Sequence, residues 1–187
     1  MMTRKRRTPS RRETTRRMSR TSRPCLQLKL LCGTSTRAIL RAQQAIGLEV
    51  RGITGQRHVE PGPAVEEFDG LTFHRTPGKP FGPAGLKEWR EIDALADAIV
   101  ALADEWRPDI LHAHSPALNG LAAIRAGKRL GIPVLYEIRA FWEDAAVGNL
   151  TGREGSLKYH LTRELENSAV RDADAVMTIC QGLKQDL

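Results

Sequence analysis

Residues 133–153 read PVLYEIRAFWEDAAVGNLTGR, and this stretch decides the fold. Its first half is strand-like, with Val134, Leu135 and Ile138. Its second half is crowded with Arg139, Trp142, Glu143, Asp144, Asn149 and Arg153. A short apolar run of this kind reads as a strand buried on both faces, the habit of parallel sheets. A polar loop at the carboxyl end of such a strand is where open α/β sheets take their ligands.

Outward from it the same grammar repeats. Upstream, DILHAH (109–114) is a second short buried strand. Ser115 and Pro116 follow as an N-cap and a proline at the first helical position, with a helix to about Leu130 and Gly131 at its stop. Leu86 to Trp106 carries a broad apolar stripe and reads as the clearest helix, with Trp89 and Trp106 expected as core anchors and Pro108 ending it. Downstream, Leu157, Leu161, Leu165 and Ala169 fall in line on a helix over 156–171. DAVMTIC (174–180) is a last strand, and a helix opens at Gln181. Toward the N-terminus, Leu26, Leu28 and Leu30 give a weak alternating strand, followed by a helix over 36–46 that stops at Gly47. Leu48 to Thr54 and Leu71 to Thr76 read as strands, separated by a Pro/Gly/acidic loop over 55–70, and GKPFGPAG forms a second loop. Strands alternating with helices predict an α/β fold, a parallel sheet covered by helices on both faces.

The charge divides the chain in two. Net charge is +7 and the isoelectric point about 9.8. Residues 1–29 hold 11 Lys/Arg against Glu13 alone; the rest holds 18 basic and 21 acidic residues. Basicity therefore belongs to a tail, 1–24, which lacks large apolar residues and is expected to be disordered, with the folded domain over 25–187. Such a tail is either solvated or attached to an anionic lipid or nucleic-acid surface; without interleaved aromatics it offers no platform for specific nucleic-acid recognition. Cys25, Cys32 and Cys180 form no CxxC pair and read as reduced thiols. No apolar run reaches the ~18 residues that a membrane span needs.

The candidate chemistry clusters after the two central strands. His112 and His114 share a strand face by the period of two. They are a metal pair, satisfied histidines at a strand end, or substrate contacts. No carboxylate or thiol lies near them at ligand spacing, so no metal is expected. Ser115 and the free N–H groups of the helix after it make a generic anion or hydroxyl site. Glu137 and Arg139 also share a face, either as a local ion pair or as polar arms toward a ligand. Phe141 and Trp142 offer flat surfaces for a sugar ring, Glu143 and Asp144 can orient hydroxyls or act as a base, and Gly148, Asn149 and Gly152 let a loop approach a ligand. There is no phosphate-loop, nucleophile-elbow or dinucleotide fingerprint.

Three phrases in order, RPDILHAHSPALNGLAA, GIPVLYEIRAFWEDAAVGN and DADAVMTICQGLKQDL, resemble the N-terminal half of a family 4 glycosyltransferase of GT-B architecture. YEIRAFWEDAAVGN further resembles the bacterial subgroup associated with exosortase and exopolysaccharide loci. The resemblance covers about residues 36–187. It implies two Rossmann-like domains facing across a cleft, this one holding a sugar or lipid-linked acceptor and a donor domain holding the nucleotide-sugar. It implies retention of configuration, no obligatory metal, no cofactor on this chain beyond the nucleotide-sugar as co-substrate, and a place in the cytoplasm with peripheral contact at the inner face of the membrane. Many relatives close the strand ending here in YEIR with a histidine; Arg139 stands there instead, so it is expected to contact phosphate or acceptor, with Glu137, His114 and Asn149 beside it. The family opens on a strand and a glycine-containing loop. CLQLKLLCGTS departs from that pattern before about Ser35, and LQLKLLCG is expected to pair as a substitute strand. The donor-side residues of such enzymes have no counterpart in these 187 residues, so the chain alone is expected to be inactive, either as the acceptor-side half of an enzyme or, alternatively, as a non-catalytic remnant or binding domain that keeps the fold.

Overall fold

The structure is a computed structural model and describes residues 24–29, 34–57 and 62–186. The expected tail lies outside these residues, apart from Pro24, which opens the first strand. In chain order the elements are β1 (Pro24–Lys29), α1 (Thr34–Ala45), β2 (Glu49–Thr54), β3 (Val65–Phe68), β4 (Leu71–Arg75), α2 (Leu86–Glu105) and β5 (Ile110–His114). They continue with α3 (Ala117–Leu130), β6 (Val134–Ile138), α4 (Trp142–Gly148), α5 (Leu157–Asp172), β7 (Ala175–Thr178) and α6 (Gln181–Gln185).

Among the described residues the strands make one seven-stranded sheet in the order β3-β4-β2-β1-β5-β6-β7. Every pairing is parallel except β3 with β4, so the fold is the expected α/β class with one antiparallel edge. The weak strand at the N-terminus is central: Cys25 pairs with Val50 on one side and Ile110 on the other. Strand alternation divides the apolar residues between two cores. Leu26, Ile53, Leu111, Ala113, Tyr136 and Ile138 join α2 and α3 in the main core, on the face where α2, α3 and α5 pack side by side. Cys25, Val50, Leu71 and Phe73 pack on the other face with Leu40 of α1. Burial pushes the Cys25 thiol up to about 11, which makes it a packing residue and not a nucleophile.

Four expectations need correction. The loop over 55–70 contains β3, which pairs with β4 through Asp69 and Gly70, both at positive φ (54° and 73°). That is the two-residue hairpin turn for which Asp-Gly is suited. The stretch after Phe141 is not loop alone; 142–148 are helical. Trp106 is buried, but Trp89 is 52 % exposed, its ring half-covered by the Arg125 guanidinium 5.3 Å away. Leu157 and Leu161 are also exposed, because α5 packs on the main core through Leu165, Glu166 and Ala169, while its first two turns bring Tyr159 and Thr162 inward and leave the two leucines outside.

Gly120 of α3 lies close against the sheet under the site. A Cβ there would stand 2.7 Å from Tyr136 Cε2 and 3.1 Å from Ala169 Cβ. Gly120→Ala gains helix propensity, worth about 1 kcal/mol, but overpacks a ring that cannot move freely, at about 1–3 kcal/mol. We expect a lower urea midpoint for this variant; an unchanged or higher midpoint would show that the helix yields.

Candidate functional site

The carboxyl edge of the sheet presents two groups of polar side chains, one on each face. The first is set by the β5–β6 register, which places His114 opposite Glu137. His112 and His114 alternate with Leu111 and Ala113, and Glu137 with Tyr136 and Ile138. All three therefore point away from the main core, to the α1 face of the sheet. His112 Nε2 lies 2.9 Å and His114 Nε2 3.5 Å from Glu137 Oε2. The two rings meet edge to face with centroids 4.8 Å apart. Arg139 donates from Nε to Glu137 Oε1 at 2.9 Å. Its side chain remains partly exposed (22 %), whereas the two histidines and the glutamate are buried.

Burial alone would raise the Glu137 pKa. The hydrogen bond from His112 and the charges of His114, His112 and Arg139 outweigh it and hold the carboxyl down at about 2. Glu137 is thus an anion across the neutral range and a poor proton acceptor there. Its chemistry is to fix the guanidinium of Arg139. Of the two alternatives for this pair, the local ion pair is the one that forms.

The carboxylate that sequence spacing failed to supply to the histidines is Glu137, from the neighbouring strand. His112, His114 and Glu137 bring one ligand atom each within 4.8 Å of one another, a donor set of the divalent-cation type. Both Glu137 oxygens are engaged, however, and a guanidinium adjoins the cluster. A dication would have to displace Arg139 or be repelled by it, so the arrangement fits a charged hydrogen-bond network better than a metal centre.

The second group lies on the α3–α5 face, around a cleft of about 280 Å³. Ser115 was expected to cap α3. Instead the helix starts after Pro116 with no side-chain cap. Ser115 turns to β6: its Oγ accepts from the Arg139 N–H at 3.0 Å, and its own N–H donates to the Glu137 carbonyl at 2.9 Å. The α3 N-terminus is served by Glu166, 49 residues on, whose Oε1 accepts from the Ala117 N–H at 2.8 Å. Its Oε2 accepts from the Tyr136 hydroxyl at 2.5 Å. Burial raises the Glu166 pKa, the bonds from Tyr136 and Ala117 lower it, and the charge of Glu143 adds to the rise. Burial, with help from Glu166, likewise raises the Tyr136 pKa, so the phenol stays protonated.

Trp142 and Glu143 line this cleft with Tyr159, Arg153, Lys158 and Glu166. Glu143 is buried, and its Oε2 has no hydrogen-bond partner among the described residues. Asp144 faces a neighbouring polar hollow and accepts from the Tyr159 hydroxyl at 2.7 Å. Asn149 is exposed at the end of α4 and does not line the cleft. The structure thus brings Glu137, Arg139, His114 and Ser115 together, and separately Trp142 and Glu143. Sequence reasoning missed Tyr136, Tyr159, Lys158 and Glu166. Glu166 alone left a signal, a carboxylate beside the Leu165–Ala169 stripe on the packed side of α5.

A family model described as "Glycosyl transferase 4-like domain" matches residues 32–187. A GDP-mannose-dependent alpha-mannosyltransferase of Mycobacterium tuberculosis is 33 % identical over 72 residues, 36 % of this chain and 17 % of that protein. Among solved structures, sucrose-phosphate synthase of Thermosynechococcus elongatus superposes with a TM-score of 0.66 at 14 % identity, over 87 % of this chain and 44 % of that one. UDP-N-acetylglucosamine 2-epimerase of Rickettsia bellii gives 0.54 at 10 % identity, over 88 % and 40 %. These structural likenesses concern the fold. The chain spans less than half the length of these relatives.

Proposed function

The chain belongs to the glycosyl transferase 4-like family, and on that premise we propose that it supplies the acceptor side of a sugar transferase of GT-B type. The observation that carries the reading is the Arg139 guanidinium. It is anchored on a buried Glu137, ionised across the neutral range, at the carboxyl edge of the sheet, where open α/β folds take their ligands. Transfer breaks the bond from the anomeric carbon to a nucleoside diphosphate and forms one to an acceptor oxygen. The acceptor loses a proton and the diphosphate leaves as an anion. A fixed cation at the carboxyl edge of the sheet stabilises that developing charge or holds an anionic acceptor. The donor side comes from a further domain, on a longer chain or a separate one, so these 187 residues alone are inactive.

The wording of residues 136–149 supports a finer reading: the exosortase-associated subgroup, acting in bacterial exopolysaccharide or glycoconjugate synthesis. The mannosyltransferase relative makes GDP-mannose the first donor to try. No described helix is long and apolar enough to cross a membrane, which fits work in the cytoplasm with peripheral contact at its inner face.

With a donor-side domain supplied, Arg139→Ala is expected to lower transfer about 100-fold, and Arg139→Lys about 10-fold because the amine keeps the charge but loses the fork. Steady-state transfer rates check this. Full activity in Arg139→Ala would remove Arg139 from the reaction.

A further inference from the structure

We propose that the cleft between the start of α3, α4 and α5 binds a sugar bearing a phosphate, with Glu143 taking sugar hydroxyls and Arg153 and Lys158 taking the phosphate. The proposal rests on the acceptor-side reading and names the acceptor's chemical class. Three observations lead to it.

The first is Glu143. Its side chain is 5 % exposed and lines the cleft, yet Oε2 lacks a donor among the described residues. A buried carboxylate oxygen without a donor is costly, and Glu166 nearby has none to offer because both its oxygens already accept. A ligand hydroxyl supplies the missing donor. The second is the wall. Trp142, 41 % exposed, and Tyr159 line the same cleft, and flat amphipathic rings match the apolar face of a sugar. The third is the charge balance at the rim. Glu88, Glu143 and Glu166 are its acids, and Arg57, Arg153 and Lys158 its cations. Arg57 is taken: its guanidinium bonds Glu91 at 2.7–3.0 Å and reaches Glu88 at 3.7 Å. Arg153 and Lys158 are exposed and make no ion pair among the described residues. Hydroxyl acceptors at the floor and cations at the mouth suit a ligand that is a sugar at one end and an anion at the other.

Free glycosyl phosphates and lipid-borne ones share this chemistry. The test is quenching of Trp142 fluorescence in the 187-residue chain. The probes are mannose, inorganic phosphate, mannose 1-phosphate, and phosphatidylcholine vesicles carrying polyprenyl phosphomannose. Trp142→Phe identifies the signal, and circular dichroism confirms that each variant folds. Mannose 1-phosphate is expected to bind at least about 10-fold more tightly than mannose or phosphate, the gain of charge-assisted contacts over neutral ones. Arg153→Ala with Lys158→Ala should reduce it to the level of mannose, and Glu143→Gln to the level of phosphate. The basic N-terminal residues are intact in these variants, so a loss reports the cleft and not general cation attraction. Tighter binding of the vesicle form with the same dependence assigns the ligand to lipid; equal binding assigns it to the soluble pool. Binding of both forms that ignores Glu143, Arg153 and Lys158, or no preference for mannose 1-phosphate over phosphate, overturns the proposal. Transfer to an uncharged sugar in the enzyme assay would leave the acceptor-side reading standing while this inference fails.

Discussion

Glu137→Ala is expected to destabilise the domain by about 3–5 kcal/mol, the cost of removing one partner from a buried charged cluster. His112, His114 and Arg139 all direct polar atoms at this one carboxylate, and the two histidines stay buried when it goes. The same cluster sets a sign for pH. The Glu137 pKa falls from 4.5 to about 2 on folding. A carboxyl whose folded pKa is depressed contributes stability that is present above its unfolded pKa and lost as pH falls toward the folded one. The shift corresponds to stabilisation of order 3 kcal/mol, lost between about pH 4.5 and pH 2. Urea melts at pH 7, 4.5 and 3 should show the native chain losing more stability across this window than Glu137→Gln. Parallel loss in the two proteins would mean that the cluster is not coupled to folding.

The second large effect lies on the opposite face. Glu166→Ala leaves the Ala117 N–H and the Tyr136 hydroxyl without acceptors, in a region where both are buried. Unmet polar groups of this kind cost about 1–3 kcal/mol each, and the deleted side chain adds a cavity. A loss of about 3–5 kcal/mol is expected. Glu166→Gln keeps an acceptor and removes a charge that burial and Glu143 both disfavour, so it should stay within about 1 kcal/mol of the native chain. The pH sign is reversed here. A carboxyl with a raised folded pKa favours the folded state at low pH, and that contribution fades as pH rises through the folded pKa. Chemical denaturation of both variants across pH 4–8 checks the pair. Equal damage from Ala and Gln would mean that charge, not the two hydrogen bonds, is what Glu166 provides.

The two glutamates also show what a sequence can and cannot reveal here. Local signals were readable: the apolar runs of β5 and β6, Gly131 closing α3 in the left-handed region, and the shared face of Glu137 and Arg139. The β3–β4 hairpin was readable too, since Asp69-Gly70 between Phe68 and Leu71 carries its turn chemistry, but its acidic strand hid it among the loop residues. The meeting of His114 with Glu137 was not readable, because it depends on the register of two parallel strands joined by α3. Nor was the service of Glu166 to Ala117, which depends on how α5 packs on α3. Trp89 misled for a related reason: helical spacing marks a stripe, but the neighbouring helix decides how wide a stripe is covered, and Arg125 covers Trp89 only in part.

The central claim is that this chain carries the acceptor side of sugar transfer and not the chemistry of the donor. The direct test is mass-spectrometric detection of transfer from GDP-mannose to a glycosyl phosphate acceptor. It is run with the 187-residue chain alone and again with a donor-side domain supplied. The account predicts no product above background from the chain alone, and product that depends on Arg139 once the donor side is present. Robust transfer by the chain alone would contradict it.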